Sequence, residues 1–522
     1  MEWGVILTGL VLRLMYWLLG PLFWLASRGK DQKLPAISDQ LLMESAVSLA
    51  KKIRDGKVTS EHLVTTFIDR VKSVNPLLNA VVEDRFEEAL QDARVVDRIL
   101  SDLRNSGDIH EVEKTQPFLG VPFTVKESCS LAGLSNAVGC LELNGRRAIS
   151  DGAAVRHMKA AGAIPLLVSN TPELCLGWET SNLLSGHTNN PYCLSRTPGG
   201  SSGGEAALVA SGASVLSVSS DIAGSIRIPA AFTGLFGHKP TPGIISIEGH
   251  IPHLTDAQFP RFLSLGPLVR YAEDLAPTLS VMAAGNCHKL RLDQQVDVKS
   301  LNIFYMTEAS NNPAFIKVEN CIKSKIRDAV HYLQHDCGAK VCEEEFKDLE
   351  DSVDMSISVF FSMKDIPNML QDLQQPKREK NLIIEFLKFL VGFSKRSLQG
   401  LTFAFITKTK LFIPESRHGY YKAKADELRK HLTERLGENG VFLYPVFVGP
   451  AHRHGEVFVK ASGVGYSMLF NILGMPVTAV PMGLHKGLPL SIQVIAAPNQ
   501  DRLCLAVARQ LEIGFGGWRP PI

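Results

Sequence analysis

The chain predicts an α/β fold: a mixed, twisted β-sheet core surrounded by α-helices, with a membrane segment in front of it. Three observations carry that expectation. From residue 117 onward short β-rich runs alternate with helical patterns, as in a largely buried mixed sheet covered by helices. Three helical patterns, each with one apolar face, precede that alternation. Residues 4–26, GVILTGLVLRLMYWLLGPLFWLA, are apolar apart from Arg13, long enough to cross a hydrocarbon core of about 30 Å as a helix.

Trp17 and Trp24 in that first segment suit an interfacial aromatic belt. Glu2 leads it and no small-residue exit closes it, so an anchor is expected rather than a cleaved signal peptide. Arg28, Lys30 and Lys33 follow at once, which by the positive-inside rule puts the body on the cytoplasmic side. A charge at mid-depth is costly and Gly20-Pro21 permits a bend, so a one-leaflet hairpin or interfacial insertion competes with a simple span.

After a polar connector at 30–38, the first body helix carries Leu42, Ala46, Leu49 and Ile53 on one face and is expected to stop at Gly56. The second starts after Thr59, carries Leu63, Phe67 and Val71, and is expected to stop at Asn75-Pro76. The third, 83–100, repeats the spacing with Phe86, Leu90, Ala93 and Val96. Strands follow at FLGVPFTV, AIPLLV, ASVLSVSS, LNIFYM, VFLYPVF, PVTAVPM and LSIQVIA, with a closing helix over 501–511. No internal repeat or linker interrupts this body. The stretch 382–412 mixes an aliphatic-aromatic face with Lys388, Lys395, Arg396, Lys408 and Lys410. It reads either as a basic amphipathic helix pair on a membrane surface or as a helix pair covering the core.

Composition narrows the partners. With 55 Lys+Arg against 53 Asp+Glu the net charge is +2, and no basic stripe interleaved with aromatics marks a nucleic-acid surface. Nine cysteines are scattered without a CxxC pair or zinc-site spacing, so they are expected as thiols, and neither a metal nor an organic cofactor is expected. No Asn begins an N-x-Ser/Thr sequon, in keeping with a body away from lumenal glycosylation.

The densest chemical signal is PGGSSGGEAALVASG at 198–212, where four glycines flank Ser201 and Ser202 at the mouth of a helical pattern. Glycines admit backbone conformations closed to other residues, so a hydroxyl is presented in a tight loop beside a helix N-terminus. A plain flexible connection is the ordinary reading of such a loop. SSDIAGSIRIP at 219–229 changes that, because it places Ser225 in a second tight turn whose consecutive N–H groups can face one oxyanion. Lys126 ends the apolar run FLGVPFTVKES, where an amine loses charge stability and becomes a candidate base.

Lys126 after G-V-P, the GGSSGG loop and the D-x-x-GSIR-x-P turn, in that order, resemble the amidase-signature family over roughly residues 40–515. The resemblance implies an amidase-signature fold with 40–515 as one catalytic domain. It implies that Lys126 serves as base to Ser201, that Ser201 shuttles the proton, and that Ser225 attacks the carbonyl and forms an acyl-enzyme. It further implies an oxyanion hole from the backbone N–H groups of Ile222, Ala223, Gly224 and Ser225, a cis peptide between Gly200 and Ser201, and a bracing Asp221–Arg227 ion pair. Cys175 and Trp178, in NTPELCLGWETSN, match a segment lining the acyl pocket. The chain departs from the family at Ala223, where Gly is usual. If that position takes φ > 0, Ala costs on the order of 1 kcal/mol and tilts a donor. His187, His238, His452 and His454 are read as structural or surface residues, since no G-x-S-x-G elbow accompanies them.

Together the anchor and the resemblance lead to an expected membrane-associated serine amidohydrolase. Its expected partners are fatty-acid amide substrates (oleamide-like primary amides and N-acyl ethanolamines), membrane lipids of the endoplasmic reticulum or lipid droplets, and a second copy in a homodimer. An amidase of small soluble amides and a catalytically impaired membrane scaffold are the competing expectations.

Overall fold

The computed structural model describes residues 2–27, 29, 32–106, 109–310, 316–371, 378–409 and 413–521. Arg28, Lys30 and Lys410, invoked above for topology and surface charge, lie outside the described residues.

A mixed sheet forms the centre. In spatial order its strands are Val81–Asp84, Ile164–Ser169, Pro122–Lys126, Leu216–Asp221, Leu268–Val269, Phe236–Lys239, Val477–His485, Leu488–Ala496, Gly440–Pro445, Asn302–Tyr305 and Lys340–Glu343, with Ser264–Gly266 pairing onto Leu216–Asp221. Two three-strand parallel blocks flank an antiparallel middle. One joins Ile164–Ser169, Pro122–Lys126 and Leu216–Asp221; the other joins Gly440–Pro445, Asn302–Tyr305 and Lys340–Glu343. The strands of the first block are buried along their whole length, which explains their near-continuous apolar sequence and the helices on either face. Their carboxyl ends carry Lys126 and Asp221, where open α/β sheets characteristically bind ligands.

The helical layer differs from its sequence reading at three ends. Leu42 lies in a short 3₁₀ turn, Gln40–Met43, and the first helix proper is Ala46–Arg54, capped by the Ser45 side chain on Ser48 N–H. The second helix runs Ser60–Leu78 through Pro76. Pro76 sits in the last turn, and the stop comes from Asn79 in the left-handed region with φ 52°, while Asn75 Oδ1 accepts from Ala80 and Val81 N–H at 2.8 and 3.0 Å. Glu83 belongs to an edge strand rather than to the third helix, which spans Phe86–Ser106.

The N-terminal helix Trp3–Ala26 is continuous through Pro21 and is long and apolar enough to cross a membrane. Most of its large side chains are exposed, Trp3 and Trp17 above all, while Val5 and Gly9 are buried. Both ends rest on the body. Glu2 accepts from Arg417 Nε at 2.8 Å and Tyr421 Oη at 2.9 Å, and its N–H donates to Asp354 Oδ1 at 2.7 Å. At the other end Arg453 Nε donates to Ser27 Oγ at 3.2 Å and Lys460 lies over the Tyr16 ring.

The stretch 382–412 forms the helices Leu382–Leu390 and Leu398–Thr409. Ile383, Ile384, Phe386, Leu387, Leu390, Val391 and Phe393 are exposed, Phe393 by 79%. Arg396, one of the basic residues behind the membrane-surface alternative, points inward, in keeping with the core-covering one. It is 3% exposed and pairs with Glu173 at 3.1 Å and Glu142 at 2.5 Å.

Candidate active site

Lys126 is fully buried at the end of its strand, with Nζ 2.6 Å from Ser201 Oγ and 3.0 Å from Ser220 Oγ. Ser201 follows a cis Gly200–Ser201 bond, as the resemblance implied. The loop is held by what surrounds it. Thr171 Oγ1 donates to Ser201 O at 3.0 Å, Thr180 Oγ1 donates to Gly199 O at 2.9 Å, and Gly203 N–H donates to Thr180 Oγ1 at 3.1 Å. Gly200 is required by close approach: a Cβ there would lie 2.8 Å from Glu179 N and Gly177 O. The helix Gly203–Ala210 starts directly after the serines and is buried throughout.

The second turn is built on Asp221. Its carboxylate pairs with Arg227 in two-point fashion, Nε to Oδ2 and Nη2 to Oδ1, both at 3.0 Å, with both side chains fully buried. Asn471 and Gln493 accept from the remaining guanidinium N–H groups, and Ser467 O accepts from Nη1. Burial alone would raise the Asp221 pKa; the Arg227 charge and the hydrogen bonds outweigh it and hold the carboxyl well below the usual range. A buried pair closed on all sides in this way is costly to break from one side.

That turn answers the question raised by Ala223. The left-handed φ, 95°, falls on Gly224, and Ala223 is not among the residues with positive φ. A Cβ at Gly224 would meet Ser467 Cβ at 2.7 Å and Ile228 Cδ1 at 2.8 Å, so glycine is needed at 224, while nothing in the backbone demands it at 223. Within the expected oxyanion hole, Gly224 N–H donates to Asp221 Oδ1 at 2.8 Å. The N–H groups of Ile222, Ala223 and Ser225 donate to no protein acceptor among the described residues, which leaves three donors.

Ser201, Ser220, Ser225, His250 and Cys175 line one cavity of about 40 Å³ whose other walls are apolar, including Leu174, Ile222, Leu254, Phe360 and Ile366. Trp178 is not among the lining residues; its indole N–H donates to Ala223 O at 3.0 Å, so it braces the turn from behind. The Arg396–Glu173 pair ties the helix Leu398–Thr409 to the segment that carries Leu174 and Cys175, with Ser397 N–H and Oγ also donating to Glu173 Oε2 at 2.8 and 2.7 Å.

Four polar groups near the site escaped the sequence reading. Ser220 lay in the quoted turn and precedes Asp221, but nothing local marks its side chain as a partner of Lys126. His250 comes from a loop without a motif and reaches Ser220 Oγ at 3.0 Å. Glu205, inside GGSSGGE, is fully buried and receives or shares a proton with Thr124 Oγ1 at 2.6 Å; burial raises its pKa to about 7 against several weaker opposing bonds. Glu179 faces His454 Nδ1 at 2.8 Å and takes Gly455 N–H at 2.9 Å. Burial opposes ionisation there too, but hydrogen bonds from His187 and His454 lower its pKa to about 2. Glu179, His187 and His454 place ligand-capable atoms within 4.8 Å of one another. Both His454 nitrogens already face oxygens, the second Asn189 Oδ1 at 3.1 Å, so hydrogen bonds within the protein account for the cluster. His238, bonded to Thr478 and Asp501, is structural as expected.

A buried amine against a serine in a glycine loop, beside a second serine in a turn of free N–H groups, is the constellation of an amide hydrolase of the amidase-signature type. The Amidase family profile matches residues 62–505, and the chain belongs to that family. Fatty-acid amide hydrolase 2-A of Danio rerio is 40% identical over 98% of this chain and 97% of its own length. Fatty-acid amide hydrolase 2 of Homo sapiens is 39% identical over 93% of this chain and 91% of its own. A solved structure of fatty acid amide hydrolase superposes with TM-score 0.74 at 21% identity, covering 92% of this chain and 86% of that one. One of 6-aminohexanoate cyclic dimer hydrolase with substrate gives 0.72 at 23%, covering 92% and 99%. These two superpositions speak for the fold.

Proposed function

We propose that the protein is a membrane-associated serine hydrolase that cleaves fatty-acid amides, primary amides such as oleamide and N-acyl ethanolamines, to fatty acid and amine through an acyl-enzyme. The observation that carries this reading is the 2.6 Å contact of buried Lys126 Nζ with Ser201 Oγ, on a cavity shared with Ser225. Lys126 as free amine takes the Ser201 proton, Ser201 takes that of Ser225, and Ser225 Oγ bonds to the amide carbon. The N–H groups of Ile222, Ala223 and Ser225 receive the oxyanion. As the tetrahedral intermediate collapses, Ser201 gives its proton to the leaving nitrogen and regains one from Lys126, so the amine departs neutral. Water then repeats the sequence on the ester.

Support for a lipid substrate comes from the apolar cavity walls, from the relatives' acyl amides, and from two apolar surfaces. The exposed face of 382–393 adjoins a helix pair tied to the cavity through Arg396 and Glu173. The helix Trp3–Ala26, resting on the body at both ends, favours lying in one leaflet over crossing it. At about 40 Å³ the cavity is too small for a whole long acyl chain, so in this reading the chain extends beyond it or part of the apolar wall moves. In this reading 4–26 is the anchor and 40–515 the catalytic domain, facing the cytoplasm from the endoplasmic reticulum or a lipid droplet, with the homodimer to be tested by light scattering in detergent. The scaffold alternative loses its motive, since Ala223 carries no positive φ.

The test is hydrolysis of oleamide, an N-acyl ethanolamine and a short soluble amide by wild type and Ser225→Ala, with and without dispersed lipid. Long-chain turnover that vanishes in the variant supports the reading. Turnover of the short amide alone, indifferent to lipid, contradicts the lipid class.

A further inference from the structure

Lys126 Nζ has two hydroxyl neighbours, Ser201 at 2.6 Å and Ser220 at 3.0 Å. A free amine has one lone pair and two hydrogens, so it accepts from one hydroxyl only. What decides between them lies one shell further out. Ser220 Oγ also contacts His250 Nε2 at 3.0 Å, and His250 Nδ1 contacts the Pro252 carbonyl oxygen at 3.1 Å. A carbonyl only accepts, so the ring proton sits on Nδ1 and Nε2 presents a lone pair. Burial above all pushes the His250 pKa down to about 3, which keeps the ring neutral. The single Ser220 proton therefore goes to Nε2, and Ser220 meets Lys126 only as an acceptor.

We propose that His250 is a positioning residue for hydrolysis: by engaging the Ser220 proton it obliges Lys126 to donate to Ser220 and reserves the amine lone pair for Ser201. This rests on the reading of Lys126 as base. Proton bookkeeping closes at each contact. The Pro252 oxygen receives the Nδ1 proton, Nε2 the Ser220 proton, Ser220 Oγ one Lys126 proton, and the Lys126 lone pair the Ser201 proton that is transferred during attack. Without the acceptor at Nε2, Ser220 is free to turn its proton onto Lys126 and compete with Ser201. His250 touches no reacting atom in this scheme, so its whole effect passes through Ser220.

A double-mutant cycle tests that statement. Wild type, His250→Phe, Ser220→Ala and the double variant, full chain in detergent, are assayed on a long-chain amide for kcat and KM, each with its thermal midpoint; Lys126→Ala and His250→Gln are run alongside. We expect His250→Phe to lower kcat about tenfold, the size of one lost directing hydrogen bond, with KM changed less than twofold. In the Ser220→Ala background the same substitution should change kcat less than twofold. His250→Gln, whose side-chain oxygen can accept from Ser220, should recover most of the lost rate. Additive losses in the cycle, or a His250→Gln no better than His250→Phe at equal thermal midpoint, would overturn the proposal while leaving the base assignment intact if Lys126→Ala is inactive. An active Lys126→Ala would overturn both.

Discussion

Two regions of this protein invert the usual arrangement of polar and apolar groups, and they do so for opposite reasons. The turn at 219–229 buries an ion pair completely; the segment 382–393 exposes seven large apolar side chains. Inside, Asp221 and Arg227 are matched by Asn471, Gln493, Ser467 O and the N–H groups of Gly224 and Ile226. Outside, the helix Leu382–Leu390 turns its apolar side chains outward and buries Glu385, bonded to Lys388 at 2.7 Å. The first region matches its buried charges on every side and leaves the N–H groups of Ile222, Ala223 and Ser225 without a protein acceptor among the described residues. The second leaves a contiguous run of large apolar side chains exposed, the informative departure from an ordinary surface.

If that contrast is right, the regions respond to different insults. Removing a charge from the turn should be the most damaging change: Arg227→Met leaves Asp221 buried and uncompensated, a loss of about 3–5 kcal/mol, read as a fall in thermal midpoint with activity lost alongside. Gly224→Ala places a Cβ against Ser467 and Ile228 at φ 95°. It should reduce kcat by about one to two orders of magnitude, the cost of disturbing a donor turn, and Ala223→Gly should change kcat less than about threefold. Leu387→Lys with Leu390→Lys should lower binding to phosphatidylcholine vesicles severalfold, while folding stability shifts by about 0.5 kcal/mol or less, as for surface changes in general. A comparable loss of stability in that double variant would mean the face is part of the core.

The smallest effects are in the pH dependence of stability, and two buried carboxyls give them opposite signs. Glu179, lowered to about 2, contributes stability that is full above its unfolded value near 4.5 and lost as pH falls toward 2. Glu205, raised to about 7, contributes stability that is full below about 4.5 and lost as pH rises through 7. Urea midpoints of Glu205→Gln should therefore vary less than wild type between pH 4.5 and 7.5, with the variant gaining on wild type at the upper end. A variant whose midpoint falls with pH as steeply as wild type would contradict the assignment.

What the sequence made legible follows the range of the interactions. Lys126, Ser201 and Ser225 stand out in the sequence because glycine loops and a strand end are local signals, and the structure puts Ser201 and Ser225 on one cavity with Lys126 Nζ 2.6 Å from Ser201. The strands at 302–305 and 440–445 were legible as buried β-rich runs. Where partners are remote the reading failed. Arg396 looked like surface charge because Glu173 is 223 positions away, and Trp178 looked like a pocket wall because its hydrogen bond to Ala223 O spans 45. Pro76 misled by a rule about helix interiors that a last turn escapes. Whether Ala223 takes a left-handed φ was left open by the sequence, and the backbone angles place that conformation on Gly224.

The central claim is that Ser225 is the nucleophile and that Lys126 and Ser201 activate it. The most direct measurement is labelling of the folded full-length protein with a fluorophosphonate, followed by mapping of the adduct by mass spectrometry. The account predicts a single adduct on Ser225, formed on the order of 10³-fold more slowly in Lys126→Ala, the usual contribution of a positioned general base. An adduct on Ser201 or elsewhere, or labelling of Ser225 at an undiminished rate in Lys126→Ala, would contradict it.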